Sequence, residues 1–243
     1  MSSIAENVAL ARQRIALAAA QAGRSCDEVR LLAATKTNDP DRIRQAIEAG
    51  VDICAENRVQ EFTAKNAVNA YDGCAVHFIG SLQKNKVKYI VGAVELIHSV
   101  DSAELMREID RRAAAKDTVQ DILLEVNIGG EASKSGVAPE KLEELLLFAA
   151  GCPHLRVRGL MTIPPAETFP GENRNYFLQM HELFVDIRRK KYDNVLMAEL
   201  SMGMSSDYEE AVRCGATIVR LGTAIFGPRN YDMQEAPRDG TLR

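Results

Sequence analysis

No two cysteines in this chain stand at C-x-x-C spacing, and no two histidines fall close enough in sequence to share a metal ion on one helix. The five cysteines, Cys26, Cys54, Cys74, Cys152 and Cys214, are odd in number and widely scattered, which argues against a disulfide framework, and reduced thiols are expected. His77, His98, His154 and His181 offer no ligand set, and no metal is expected. Positive charge is also scarce. Thirty Lys and Arg against 34 Asp and Glu leave a net charge of −4, which excludes a coat for a nucleic-acid backbone. No uncharged apolar run approaches the roughly eighteen residues that cross a bilayer, and the amino terminus lacks the basic, apolar, small-residue order of a secretory leader. A cytoplasmic protein without membrane contact is therefore expected. No Gly/Ser-rich or Pro-rich linker divides the chain; the nearest candidate, from Ile163-Pro164-Pro165 to Pro170-Gly171, directly follows a strand and reads as a loop.

What the chain does contain is 46% hydrophobic and 26% charged residues over 243 positions, enough for a full core in one domain. Ile4, Val8, Ala11 and Ile15 recur at helical spacing, with Arg12 and Arg14 between them, and predict an amphipathic helix over residues 4–22 on the outside of the domain. Short apolar runs then alternate with helical stretches. Strands are expected at 29–35, 51–55, 76–79, 96–100, 122–128, 157–161, 197–200 and 217–221. Helices are expected at 40–49, 57–69, 84–91, 102–115, 139–150, 173–190 and 206–214, so every strand but the last is followed by one. Eight such units in this length predict an α/β fold, a single-domain (β/α)8 barrel over residues 29–227, with a doubly wound open sheet as the alternative. A polar tail follows, loose at its end.

In a barrel the residues just after each strand converge on one face, and several polar ones stand there. The first strand runs into Ala34-Thr35-Lys36-Thr37, which sets a lysine where apolar walls give way to the mouth. Partial burial disfavours an ammonium and raises the fraction of free amine that can attack a carbonyl, although a lysine reaching out to solvent fits the same position. The seventh strand runs into Leu200-Ser201-Met202-Gly203-Met204-Ser205-Ser206-Asp207 ahead of a helix. Gly203 permits close backbone approach, Ser205 or Ser206 can cap the helix or donate a hydroxyl, and free amides attract an anion. The eighth strand ends at Arg220-Leu221-Gly222-Thr223, and barrels commonly build phosphate sites after strands seven and eight. A structural ion pair is the rival role for Arg220. Glu56-Asn57, His77, Gly80-Ser81-Leu82-Gln83, Asn127 and Met161-Thr162 occupy other strand ends. His77 lies within an apolar run and reads as a hydrogen-bonded core residue rather than a base; Lys84-Asn85-Lys86-Val87-Lys88 reads as a solvated helix face. A lysine able to form an imine, a phosphate cradle and an arginine near the cavity floor together call for a ligand with an aldehyde and a phosphate, and pyridoxal 5′-phosphate has both.

These residues also resemble a known family, the pyridoxal phosphate homeostasis proteins (YggS/PROSC). The resemblance rests on Leu31-Leu32-Ala33-Ala34-Thr35-Lys36-Thr37, Ala55-Glu56-Asn57-Arg58-Val59-Gln60-Glu61, His77-Phe78-Ile79-Gly80-Ser81-Leu82-Gln83-Lys84-Asn85-Lys86, Ser133-Lys134-Ser135-Gly136, Arg158-Gly159-Leu160-Met161, Leu200-Ser201-Met202-Gly203-Met204-Ser205 and Val219-Arg220-Leu221-Gly222-Thr223-Ala224-Ile225-Phe226-Gly227, in family order over residues 29–229. It implies a barrel similar to the amino-terminal domain of alanine racemase, with an extra amino-terminal helix, that binds pyridoxal 5′-phosphate as an internal aldimine on Lys36. It further implies a phosphate site at Ser205, Gly222 and Thr223 with Ser201 and Met204, a ring-nitrogen contact from Arg220, and Asn57 as a pocket residue. Cys54-Ala55 stands where many members have Phe-Gly, and Arg58 where many have Tyr, so that loop departs from the family pattern.

The function so implied is a carrier or buffer that keeps a reactive aldehyde sequestered for apo-enzymes that need it, with effects on vitamin B6 and amino-acid metabolism and no robust catalysis. Arginine at the pyridine nitrogen opposes its protonation, and an unprotonated ring is a poor electron sink. The alternative is a racemase or another barrel enzyme of weak activity using the same lysine, but the stretch after the eighth strand is short for a second, base-bearing domain. For the same reason a monomer is expected. A third reading, an aldolase-like barrel in which Lys36 forms an imine with substrate, predicts that the protein purifies without a chromophore.

Overall fold

The computed structural model describes residues 2–131 and 134–228. Ser133 of the Ser-Lys-Ser-Gly segment, Arg229 and the expected polar tail lie outside the described residues. Helix α1 (Ile4–Gln21) opens the chain on a capping box, in which the Ser3 hydroxyl accepts from the Glu6 amide and the Glu6 carboxylate accepts from the Ser3 amide. Its buried stripe contains Ile4, Val8, Ala11 and Ile15, as the sequence spacing predicts, and adds Ala18 and Ala19.

Eight parallel strands follow and close into a barrel in chain order: β1 (Arg30–Ala34), β2 (Ile53–Glu56), β3 (Ala75–Phe78), β4 (Leu96–Val100), β5 (Gln120–Glu125), β6 (Leu155–Met161), β7 (Val195–Met204) and β8 (Ile218–Leu221). The open doubly wound alternative is thereby excluded. Between them run α2 (Pro40–Glu48), α3 (Val59–Asn66), α4 (Val87–Ile90), α5 (Ala103–Ala114), α6 (Leu142–Ala150), α7 (Arg174–Arg189) and α8 (Tyr208–Arg213). A further helix, α9 (Thr223–Phe226), follows β8, where the sequence predicted none; its single turn is too short to show a period.

The alternation of side chains along each strand divides the core in two. Leu31, Ala33, Cys54, Phe78, Ile97, Ile122, Leu124, Val157, Met202 and Val219 face outward and join the helices in the larger apolar layer. Leu32, Ile53, Ala55, Leu96, Leu123, Met161 and Ile218 face inward as a smaller plug. Arg30 at the start of β1 reaches Glu199 Oε1 at 2.7 Å, and Arg156 reaches Asp121 Oδ1 at 2.7 Å, so ion pairs close the amino-terminal end of the barrel.

The strands β6 and β7 are pressed together where Gly159 passes Glu199. A Cβ on Gly159, whose φ is +153°, would lie 1.7 Å from the Glu199 carbonyl oxygen, so no other residue fits. Strand β7 runs four residues beyond the predicted end at Leu200, because Ser201 and Met204 pair with Ile218 and Arg220 of β8. All five cysteines are free thiols. The run from Lys84 to Lys88 presents Lys84 and Lys88 to solvent, buries Val87, and stacks Lys88 Nζ 4.9 Å from the Tyr89 ring centroid.

Candidate functional site

The seam between β1 and β8 gathers most of the expected site. Leu32 pairs with Arg220 and Ala33 with Leu221, so the chain leaving β1 at Lys36 runs beside the turn that leaves β8 at Gly222. Lys36 is half-buried and lies in the turn two residues beyond β1. Its carbonyl accepts from Thr37 Oγ1 at 2.6 Å and Asn38 Nδ2 at 3.1 Å, which secures the turn. A Cβ on Gly222 would stand 3.8 Å from Ala34 Cβ, in the space between the two strand ends.

Below that turn, Thr35, the first residue after β1, is tied to a buried carboxylate. Glu56 Oε1 accepts from Thr35 Oγ1 at 2.6 Å, Lys65 Nζ at 2.6 Å and Tyr71 OH at 3.1 Å. Lys65 Nζ also donates to the Thr35 carbonyl at 3.0 Å, next to Lys36. Burial, with the neighbouring Glu56 charge, pushes the Tyr71 hydroxyl up, so it remains a donor.

Arg220 lies inside the barrel, 5% exposed. Its Nη1 donates to Ser201 Oγ at 2.7 Å and its Nη2 to the Thr162 carbonyl at 2.8 Å. These partners are a hydroxyl and a carbonyl, so the rival role as one half of a bonded ion pair is not the observed one. Asp207 and Glu125 act on it at longer range, while burial lowers its pKa to about 10. Glu125 faces inward two residues beyond Leu123, and burial, reinforced by the Asp101 charge, raises its pKa to about 7.

Ser205 Oγ accepts from the amides of Gly222 and Ala224, each at 3.2 Å, and joins the β7 and β8 turns into one cradle with Thr223 exposed at its rim. Neither Ser205 nor Ser206 caps α8, as the sequence allowed: the helix starts after Asp207, whose Oδ1 accepts from the Met204 amide at 2.6 Å. Met204 thus stands beside the cradle with its amide engaged. Ser201 is not in the cradle. Its hydroxyl is held by Arg220 and, at 3.0 Å, by His98 Nδ1, deeper in the barrel, because on β7 it lies four residues before Ser205 and faces inward.

Asn57 follows β2 and is fixed from behind by Gly80, where a Cβ would lie 2.0 Å from the Asn57 carbonyl oxygen. Its Oδ1 is buried with no hydrogen-bond partner among the described residues. An orphaned buried acceptor is costly unless a donor arrives from outside the chain. His77 is fully buried and bonded to His98, as a core histidine should be. Asn127 holds its own loop through the Glu131 carbonyl at 2.9 Å and belongs to the scaffold.

The structure therefore brings together Lys36, Arg220, Gly222, Thr223, Ser205 and Met204, sets Ser201 beneath Arg220, and sets Asn57 after β2. Sequence reasoning missed His98, Glu125, Thr162 as a partner of Arg220, and Asp207. The signal for the first two was period-2 parity with Leu96 and Leu123; it required the strand ends to be known. Among the described residues no cluster of His, Cys, Asp or Glu is arranged to hold a metal ion, and no helix is long and apolar enough to cross a membrane.

A family model described as the alanine racemase N-terminal domain matches residues 3–230. A pyridoxal phosphate homeostasis protein of Aquifex aeolicus is 46% identical over 226 residues, covering 93% of this chain and 98% of the relative. One from Pseudomonas aeruginosa is 41% identical, covering 95% and 98%. Among solved structures, PipY of Synechococcus elongatus with PLP bound superimposes with a TM-score of 0.80 at 33% identity, covering 93% of this chain and all of that one.

Proposed function

The chain belongs to the pyridoxal phosphate homeostasis proteins, built on the alanine racemase N-terminal domain, and from that premise we propose that it binds pyridoxal 5′-phosphate and buffers it rather than turning over amino acids. The observation that carries this reading is Arg220, a buried guanidinium whose hydrogen bonds among the described residues go to neutral partners, on the seam that also carries Lys36 and the Ser205–Gly222 cradle. The orphaned Asn57 Oδ1 fits the same ligand, as an acceptor waiting for a donor.

Bound pyridoxal phosphate supplies a reactive aldehyde and an electron-withdrawing ring. In this reading Lys36 is the covalent anchor for the aldehyde carbon, held in place by the Thr37 and Asn38 bonds to its carbonyl. Ser205, Gly222 and Thr223, joined by the Gly222 amide's bond to Ser205 Oγ, would hold the phosphate, with Met204 beside them, and Ser201 would contribute through Arg220. Arg220 would meet the ring nitrogen and, being a cation, would oppose protonation there, which disfavours carbanion chemistry. The protein acts in the cytoplasm as a monomer and hands its cargo to apo-enzymes.

The test is an absorption spectrum of wild type beside Lys36→Ala, before and after addition of pyridoxal phosphate and dialysis. A band retained by wild type alone, with borohydride-trapped label on Lys36, supports the anchor. No retained band overturns it and favours a substrate imine on the lysine. Proton exchange at an amino-acid α-carbon that disappears in Lys36→Ala would favour an enzyme over a buffer.

A further inference from the structure

The interior of a barrel of this kind is ordinarily packed with branched apolar side chains. Beneath Arg220 it is polar instead. His77 on β3, His98 on β4 and Ser201 on β7 are all 0% exposed. They form a continuous chain with Arg220: Arg220 Nη1 to Ser201 Oγ at 2.7 Å, Ser201 Oγ to His98 Nδ1 at 3.0 Å, and His98 Nε2 to His77 Nδ1 at 2.9 Å. His77 Nε2 then faces Glu95 Oε1 at 3.9 Å, beyond hydrogen-bond reach, at the amino-terminal end of the barrel.

Donor and acceptor capacities give this chain a direction. A guanidinium has only donors, so Ser201 Oγ accepts from Arg220. That hydroxyl keeps one proton, and of its two partners among the described residues only His98 Nδ1 can accept it, which assigns a bare nitrogen there. A neutral ring bare at Nδ1 carries its proton at Nε2, and that proton is donated to His77 Nδ1. His77 in turn carries its proton at Nε2, toward Glu95. Charged forms are opposed on both rings: burial holds each imidazole below its ordinary value, and for His98 the positive charge of Arg220 adds to the effect. The charged groups around the chain are Arg30, Glu95 and Glu199 at the floor and Glu125 and Asp207 toward the mouth.

We propose that His98 is a positioning residue for cofactor binding: through Ser201 it fixes the Arg220 guanidinium in the orientation that meets a pyridine nitrogen. This rests on the reading that a pyridoxal phosphate ring lies against Arg220. Two anchors, Ser201 Oγ and the Thr162 carbonyl, hold both terminal nitrogens of one planar group, which defines its rotation. Ser201 can serve as an anchor only if its own proton has an acceptor, and His98 supplies it.

The experiment compares His98→Leu, which removes the acceptor, with His98→Asn, which restores one near the Nδ1 position, and with Ser201→Ala. Thermal melts establish folding, pyridoxal phosphate is titrated by absorption, and borohydride trapping followed by mass spectrometry counts label on Lys36. His98→Leu and Ser201→Ala should still be labelled but should bind about tenfold more weakly, the scale of one lost hydrogen bond to a charged group, with a displaced absorption maximum. His98→Asn should return to within about threefold of wild type. Independently of any cofactor, nitrogen-15 spectra of the apo protein should show both His77 and His98 protonated at Nε2. Folded His98→Leu with wild-type affinity and spectrum, or His98 protonated at Nδ1 in the apo protein, overturns the proposal. Failure of wild type to label Lys36 overturns the cofactor reading instead and leaves the tautomer result to judge the chain.

Discussion

Arg220 and Glu125 are groups of opposite charge buried inside the barrel, and burial works against both charges. For Arg220 burial lowers the pKa to about 10, far above neutrality, so the guanidinium stays charged. For Glu125 it raises the pKa from 4.5 to about 7, so the carboxyl changes state near neutral pH. A carboxyl with a raised folded pKa favours the folded state below its unfolded value, and that advantage is lost as pH rises through about 7. Ionised Glu125 therefore costs the folded protein on the order of 3 kcal/mol at pH 8, and under about 1 kcal/mol at pH 5. Glu125→Gln is neutral at every pH and should escape the cost. Urea unfolding of the apo proteins is expected to show the variant about 2 kcal/mol more stable relative to wild type at pH 8 than at pH 5. A gap that does not change with pH would mean that Glu125 is ionised throughout.

At the scale of elements, the end of β1 is held by its neighbours more than by its own sequence. Lys65 on α3 reaches across β2 to Glu56 and the Thr35 carbonyl, and Tyr71 beyond α3 reaches the same carboxylate. Lys65→Met would keep the aliphatic stem and leave the fully buried Glu56 carboxylate without its cation, a loss of about 3–5 kcal/mol. Glu56→Gln combined with Lys65→Met should recover a large part of that loss, and a thermal double-mutant cycle measures how much. A recovery of nothing would show that Lys65 acts only through Thr35. The same dependence on neighbours explains which elements were legible. The eight strands and α1 follow from their own apolar periods, and Lys36 and Arg220 from their places at strand ends. The extension of β7 through Ser201-Met202-Gly203-Met204 was not legible, because glycine and serine read locally as a turn while pairing with β8 keeps the segment extended. Nor was the bond between His98 and Ser201, 103 positions apart, since it depends on inter-strand register that one sequence does not reveal.

At the scale of the whole molecule, the barrel closes at the β1–β8 seam, the seam that carries Lys36 and the cradle, and α1 packs over that side. Its buried face meets α2, α8 and α9, and Asn7 Nδ2 donates to the Ile225 carbonyl at 2.9 Å. In a closed sheet the loss of packing on one side loosens the global fold, because no edge exists from which a part can unfold separately. Ile15, 1% exposed, is among the largest fully buried side chains and belongs to the buried stripe. Ile15→Ala should cost about 2–5 kcal/mol, the lost burial plus the cavity it leaves. The substitution leaves the cofactor site untouched, so a ligand that binds only the folded state should add the same increment of stability to wild type and variant. At a hundredfold excess over its dissociation constant, pyridoxal phosphate should contribute about 2.7 kcal/mol to each, read as parallel shifts in urea unfolding curves. A smaller increment in Ile15→Ala would place α1 in the energetics of binding as well as of folding, by loosening the seam on which Lys36 and the Ser205–Gly222 cradle must meet.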